Sequence, residues 1–330
     1  MMKSMSKDPQ DDLDPEIRVF VQRMGAAWRQ HPPLDSLALP EARRVADKVR
    51  GTFTPGGPVM ARTTEMEIPW AGGKVRIRAY NPGIGNPKPA LIYLHGGGWT
   101  LFSIDTHDRI MREYAARAGV VVIGVDYSLS PEARFPRAIE ETVAVIRWLQ
   151  AHGAELEVDG KKLAVGGDSA GAAMTVAVSL KFRDAGEPRA VRAMILNYGC
   201  FDAACDTESF KRYGQGGYLW DPGEMQAFWR NYLGEADPLD PLAAPMHANV
   251  RGLPPAFLAI PEHDVMYDES VLMGNKLRAA GVRAQSVIYP GATHSFLEAV
   301  AIARVSDRAF SDTARWLLDI LSEASPEGAG

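Results

Sequence analysis

The chain has 330 residues, 46% of them hydrophobic, and a formal net charge of −5. That is enough apolar side chain for one large core or two modest domains, and the mildly acidic balance excludes a general attraction to nucleic acid or to an anionic membrane. The only cysteines, Cys200 and Cys205, exclude a disulfide scaffold and, without a second pair or a histidine cluster, do not make a zinc site.

Residues 1–12 are polar and are expected to be mobile. No apolar signal-like stretch follows, and no segment approaches the ~18 apolar residues of a membrane span, so a cytoplasmic protein with two reduced thiols is expected. Asp14-Pro15-Glu16 then opens a helical pattern, with Ile17, Phe20, Val21, Met24 and Trp28 at helical spacing. His31-Pro32-Pro33 stops it. A second helix is predicted from Pro40 to Arg50, ending at Gly51.

From Glu65 the period changes to two. Glu65 to Pro69 and Lys74 to Tyr80 predict a half-exposed antiparallel pair joined at Ala71-Gly72-Gly73. Continuous apolar runs then predict buried strands at Ala90–Leu94, Val120–Val125, Lys162–Gly166, Ala193–Leu196, Ala256–Ile260 and Gln285–Tyr289. Helices are predicted between most of them, at Thr106–Ala118, Phe135–His152, Ala170–Arg183 and Asp268–Ala280, with a last one at Val305–Ser322. Gly119, Gly153, Gly186 and Gly281 stand where C-terminal caps belong. This alternation predicts an α/β fold: a mostly parallel central sheet with helices on both faces.

Between Phe201 and Val250 no strand is predicted. The segment is rich in aromatics, among them Phe210, Tyr218 and Trp220. It reads as a lid over the carboxyl edge of the sheet, with some aromatics lining a pocket.

Two glycine-rich motifs follow buried strands directly. Gly167-Asp168-Ser169-Ala170-Gly171 puts a serine on a sharp turn between strand and helix, which exposes its oxygen at the sheet's end. His95-Gly96-Gly97-Gly98-Trp99 offers backbone N–H groups without side-chain obstruction, as an oxyanion hole requires. A nucleophilic serine needs a base and an orienting acid, in the order serine, acid, histidine. His247 lies in the lid-like segment, and His263 precedes the best acid, so His294 is the base candidate. Asp264 follows a predicted strand and is the preferred acid, with Asp268 and Glu262 as alternatives on spacing alone.

These motifs, with Asp126-Tyr127-Ser128-Leu129-Ser130-Pro131-Glu132, Phe135-Pro136, Leu253-Pro254-Pro255, Asp264 to Glu269 and His294-Ser295-Phe296, resemble the hormone-sensitive-lipase-like (bacterial family IV) esterases of the α/β-hydrolase superfamily. The likeness runs over roughly residues 65–320. It implies a triad of Ser169, Asp264 and His294, oxyanion donors at the backbones of Gly97, Gly98 and Ala170, and no cofactor or metal. It implies a catalytic domain of residues 51–200 and 251–330, a helical cap insertion at 201–250, and N-terminal helices at 1–50 that add to the cap. His95 is implied to orient its loop, and Glu132 to be a buried support near the nucleophile. Trp99, Phe210, Tyr218 and Trp220 are the expected substrate-binding side chains. Ser128, Ser130, Asn197 to Cys200 and Ser295 depart from the usual pattern.

The expected activity is hydrolysis of short- to medium-chain carboxylic esters, with a small-molecule ester as the partner. A homodimer is compatible with the sequence. An amidase or deacetylase using the same triad is the alternative, and a small-ligand receptor on the same fold is disfavoured by the retained His294.

Overall fold

A computed structural model describes residues 9–323. The expected mobility of residues 1–8 therefore lies outside the described residues, whereas Pro9–Asp12 form a 3-10 turn. Helix α1 (Pro15–Trp28) starts on Asp14, whose carboxylate accepts from the N–H groups of Glu16 at 2.8 Å and Ile17 at 3.3 Å. This satisfies two of the N–H groups that every helix start leaves unpaired. Helix α2 (Leu39–Arg50) follows.

The eight strands form one sheet, in the order β1-β2-β4-β3-β5-β6-β7-β8. Strands β1 (Arg62–Trp70) and β2 (Gly73–Asn81) are antiparallel to their neighbours, as their alternating pattern predicts. Strands β3 (Lys88–Leu94), β4 (Val121–Asp126), β5 (Val158–Asp168), β6 (Ala193–Asn197), β7 (Ala256–His263) and β8 (Ala284–Thr293) run parallel. Several outrun their apolar stretches, because an apolar run marks only the part of a strand covered on both faces. Helices α3 (Asp108–Ala118), α4 (Arg137–His152), α5 (Ala170–Asp184), α8 (Tyr267–Ala279) and α9 (Arg304–Ser322) supply that cover.

Alternate residues of one strand feed two cores. Ala90, Ile92 and Leu94 pack with α4, α5 and α8, while Leu91 and Tyr93 pack with α1, α3 and α9. Gly119, Gly186 and Gly281 adopt positive φ at helix ends. Gly153 does not cap in this way. Its φ is −55°, the chain continues into a 3-10 turn, and Glu157 takes the positive φ instead. Gly153 is needed for closeness: a Cβ there would lie 2.9 Å from the Val158 carbonyl oxygen.

The strand order sets where chemistry can sit. From β3 the chain crosses to β4 on one side, whereas from β5 it moves to β6 on the other. The loops leaving the carboxyl ends of β3 and β5 thus diverge and open a crevice, the usual ligand position in such sheets. Residues 201–250 carry helices α6 (Glu208–Tyr213) and α7 (Pro222–Leu233). No helix among the described residues is long and apolar enough to cross a membrane.

Candidate active site

The two glycine-rich motifs leave neighbouring strands, with Leu94 paired to Gly167. Ser169 sits between β5 and α5 at φ 53°, ψ −118°, a backbone state that costs on the order of 1–3 kcal/mol and is kept where function over-determines it. The turn is possible because its flanks are glycine. A Cβ on Gly171 would lie 1.9 Å from the Leu94 carbonyl oxygen, and one on Gly167 2.4 Å from the same atom. Ala170 is the first residue of α5, so its N–H lies at the positive end of the helix dipole.

The loop after β3 is held from below by Asp168. This buried carboxylate accepts from Tyr93 at 2.9 Å and from the Gly96 N–H at 3.1 Å. Burial opposes its charge, but His107 beside it prevails and holds its pKa below the usual carboxylate value. His95 stacks on Tyr127 at 4.3 Å, and its Nδ1 lies 2.7 Å from the Gly96 carbonyl oxygen. Burial pushes its pKa down to about 3, so the ring is neutral and braces the loop.

His294 follows β8, and Asp264 follows β7. The His294 Nδ1 lies 2.8 Å from Asp264 Oδ2 and 3.0 Å from Oδ1, which leaves Nε2 on the opposite edge of the ring. Both side chains are buried, and the Met266 N–H fixes Asp264 Oδ1 at 3.0 Å. Ser169, His294, Gly97 and Gly98 line a single cleft, together with Arg50, Phe102, Asp168, Trp220, Met225, Phe228 and Ser295. About 290 Å³ lies between its walls, but its interior has room for about one water.

The alternative acids and the other two histidines that follow Ser169 are otherwise engaged. Glu262 accepts from the Gly291 N–H at 2.9 Å, and Asp268 from the Ser209 N–H at 2.8 Å. His247 lies 3.3 Å from Asp202, and His263 packs against Tyr213 and Tyr218.

Comparison with known proteins bears on the family and the fold. A family model described as the alpha/beta hydrolase fold matches residues 91–298. Ethyl acetate hydrolase of Pseudomonas putida is 31% identical, over 89% of this chain and 95% of its own. Acetyl esterase of Salmonella agona is 36% identical, over 78% and 80%. Among solved structures, the Pyrobaculum calidifontis esterase superposes with a TM-score of 0.86 at 32% identity, covering 94% of this chain and all of that one. A thermostable esterase from Pseudomonas putida gives 0.88 at 31%, covering 95% and 99%. The chain belongs to the hormone-sensitive-lipase-like family of α/β-hydrolase-fold esterases.

The esterase departs from several sequence expectations. Of the four side chains expected to bind substrate, Trp220 lines the cleft. Trp99 is buried against Tyr232 at 4.1 Å and Trp229 at 4.5 Å. Phe210 is buried in the core, and Tyr218 borders a separate surface groove with Trp28 and Leu219. Phe228, another aromatic of the same insertion, has its ring over Gly98, where a Cβ would come within 2.3 Å of it. Glu132 is corrected from a buried support to an exposed partner of Arg43, at 2.7 Å, because the guanidinium of α2 draws it outward. Of the segment that departs from the family pattern, the Asn197 carbonyl accepts from the Ser169 N–H at 2.9 Å. Tyr198 meets His294 edge to face at 4.9 Å. Cys200 and Cys205 are free and buried.

Glu269 of α8 is fully buried and accepts from the N–H groups of Phe201 and Asp202, pinning the start of the helical insertion. Burial pushes its carboxyl up to about 8, against the pull of those two donors, and pushes Glu298 up to about 7. Such carboxyls bind protons more tightly folded than unfolded. Their stabilisation is present below the unfolded value of about 4.3 and is lost as pH rises through the folded value. The melting temperature is therefore expected to fall from pH ~5 to ~8, and Glu269→Gln, which keeps an acceptor oxygen, to flatten that fall. A pH series of thermal melts checks this; equal slopes in the two proteins would mean that Glu269 does not titrate there.

Proposed function

We propose that this esterase hydrolyses short- to medium-chain acyl esters through a triad of Ser169, His294 and Asp264 and an acyl-enzyme intermediate. The observation that carries the reading is the buried Asp264–His294 pair opening onto the same cleft as the strained Ser169 and the glycines 97 and 98. Ser169 Oγ attacks the ester carbonyl, and His294 Nε2 takes its proton. Asp264 holds the imidazole in the tautomer with hydrogen on Nδ1 and stabilises the imidazolium. The N–H groups of Gly97, Gly98 and Ala170 receive the oxyanion. His294 then protonates the leaving alcohol, and water repeats the sequence on the acyl-enzyme. No step draws on a metal or cofactor.

We assign residues 201–250 and the N-terminal helices to a cap over this cleft. With room for about one water inside, substrate enters only when Trp220, Met225 or Phe228 shifts. Such a cleft favours small acyl groups, and two relatives bear the names acetyl esterase and ethyl acetate hydrolase. We expect kcat/KM to peak for acyl chains of roughly two to eight carbons, each methylene within the pocket adding up to ~0.8 kcal/mol before packed aromatics stop the gain. A series of 4-nitrophenyl esters, with emulsified triglyceride as contrast, tests this. Phe228→Ala, which vacates the space over Gly98, should move the optimum to longer chains. A rate still rising at about sixteen carbons, or a jump at the oil interface, would reclassify the enzyme as a lipase.

A further inference from the structure

Arg50, the last residue of α2, is a charged side chain inside the active-site cleft, 4% exposed. Its Nη2 donates to Ser295 Oγ at 3.1 Å and pairs with Glu298, so it grips the segment just after His294 at two points. Its guanidinium carbon lies 4.5 Å from the ring centroid of Phe102, on the loop that follows the oxyanion glycines. Seven residues earlier on α2, Arg43 donates to the carbonyls of Thr100 at 2.8 Å and Ser130 at 2.8 Å. One short helix therefore holds both the oxyanion loop and the base turn, and Arg50 touches the two together.

We propose that Arg50 is a positioning residue for ester hydrolysis, setting the base turn against the oxyanion loop through Ser295, Glu298 and Phe102. The inference rests on the triad reading above. The guanidinium cannot be silent where it sits. A buried charge needs its counter-charge, and the groups facing Glu298 are Arg50 from α2, His107 before α3, Asp168 from β5 and His294 after β8. Above about pH 7, where Glu298 carries its charge, removing that charge loosens the hold of Arg50 on the base turn. Removing the guanidinium lets the base turn drift from the oxyanion loop, and displacements of about 1 Å at such sites cost on the order of 10²-fold in rate.

The test compares wild type, Arg50→Met, Arg50→Lys, Ser295→Ala and Glu298→Gln on 4-nitrophenyl butyrate, with active sites counted by a fluorophosphonate. A wild type that neither hydrolyses the ester nor takes the label would overturn the triad reading itself. Given an active wild type, Arg50→Met should lower kcat per labelled site by ~10- to 10²-fold with KM changed by less than about threefold. Arg50→Lys should recover part of that loss, and Ser295→Ala should show a smaller loss in kcat. In Glu298→Gln kcat should fall by at least about threefold at pH ~8 and approach wild type below pH ~6, where the wild-type carboxyl is protonated as well. Should Arg50→Met fail to fold, Ser295→Ala and Glu298→Gln decide the matter. Wild-type kcat per labelled site in Arg50→Met, or wild-type kcat at pH ~8 in both Ser295→Ala and Glu298→Gln, would overturn the inference.

Discussion

Ser169→Ala is expected to lower kcat by ~10⁴- to 10⁶-fold while leaving the fold intact. The substitution removes one oxygen from a side chain only 7% exposed and frees only the weakly bonding Cys200 thiol, while the Ser169 N–H and carbonyl keep their backbone bonds. Alanine takes the same positive φ at a similar cost, because the strain lies in the Cβ and not in the hydroxyl. Turnover of 4-nitrophenyl butyrate and the thermal melt should therefore part company, with the first lost and the second nearly unmoved. Fluorophosphonate labelling should vanish with turnover. Retention of as much as about a hundredth of wild-type kcat would remove Ser169 from the role of nucleophile.

Asp264→Asn is expected to cost on the order of 10⁴-fold in kcat, with KM little changed. The reason lies in who else holds the carboxylate. Asp264 Oδ1 accepts from the Met266 N–H at 3.0 Å, while Oδ2 faces His294 Nδ1 at 2.8 Å. An asparagine keeps its one oxygen on the Met266 N–H and turns its NH2 toward Nδ1. Two donors cannot face each other, so the imidazole shifts its hydrogen to Nε2. That is the atom which must take the Ser169 proton, and the base is disabled without any loss of packing. A kcat within about tenfold of wild type would return Glu262 and Asp268 to consideration, although both are held by backbone N–H groups elsewhere.

Much of the catalytic frame is legible in the chain because it obeys short-range rules. Apolar runs mark strands covered on both faces. Gly167 and Gly171 announce a backbone approach that tolerates no Cβ. The relation between the two motif loops is also encoded, since both follow runs that must be central strands. What stays hidden depends on partners distant in sequence. Helix α7 buries Met225, Phe228, Trp229, Tyr232 and Leu233, so its spacing does not reveal which arc meets the cleft. Phe228 faces Gly98, while Trp229 and Tyr232 enclose Trp99. Phe210 and Tyr218 are aromatics of the same insertion, but they pack away from it. Glu132 goes outward because Arg43 stands 89 residues earlier, a pairing no local pattern carries. Arg50 ends a helix with a basic residue, as many surface helices do, and only the tertiary fold turns it into a buried charge.

The sheet gives its two catalytic halves unequal durability. Ser169 and the glycines 97 and 98 rise from β5 and β3, each flanked on both sides, whereas His294 rises from β8, which has β7 as its single neighbour. Fraying begins at such borders and needs far less free energy than global melting. Warming should therefore loosen the proposed base before the proposed nucleophile loses its scaffold, so that turnover is lost ahead of global melting. The clasp on that strand's end is the bond from the Asp14 N–H to the Gly291 carbonyl, 3.0 Å long. The start of the first helix thus acts as a guard on the last ribbon of the sheet, and endurance under heat is decided where that helix start meets the sheet's border.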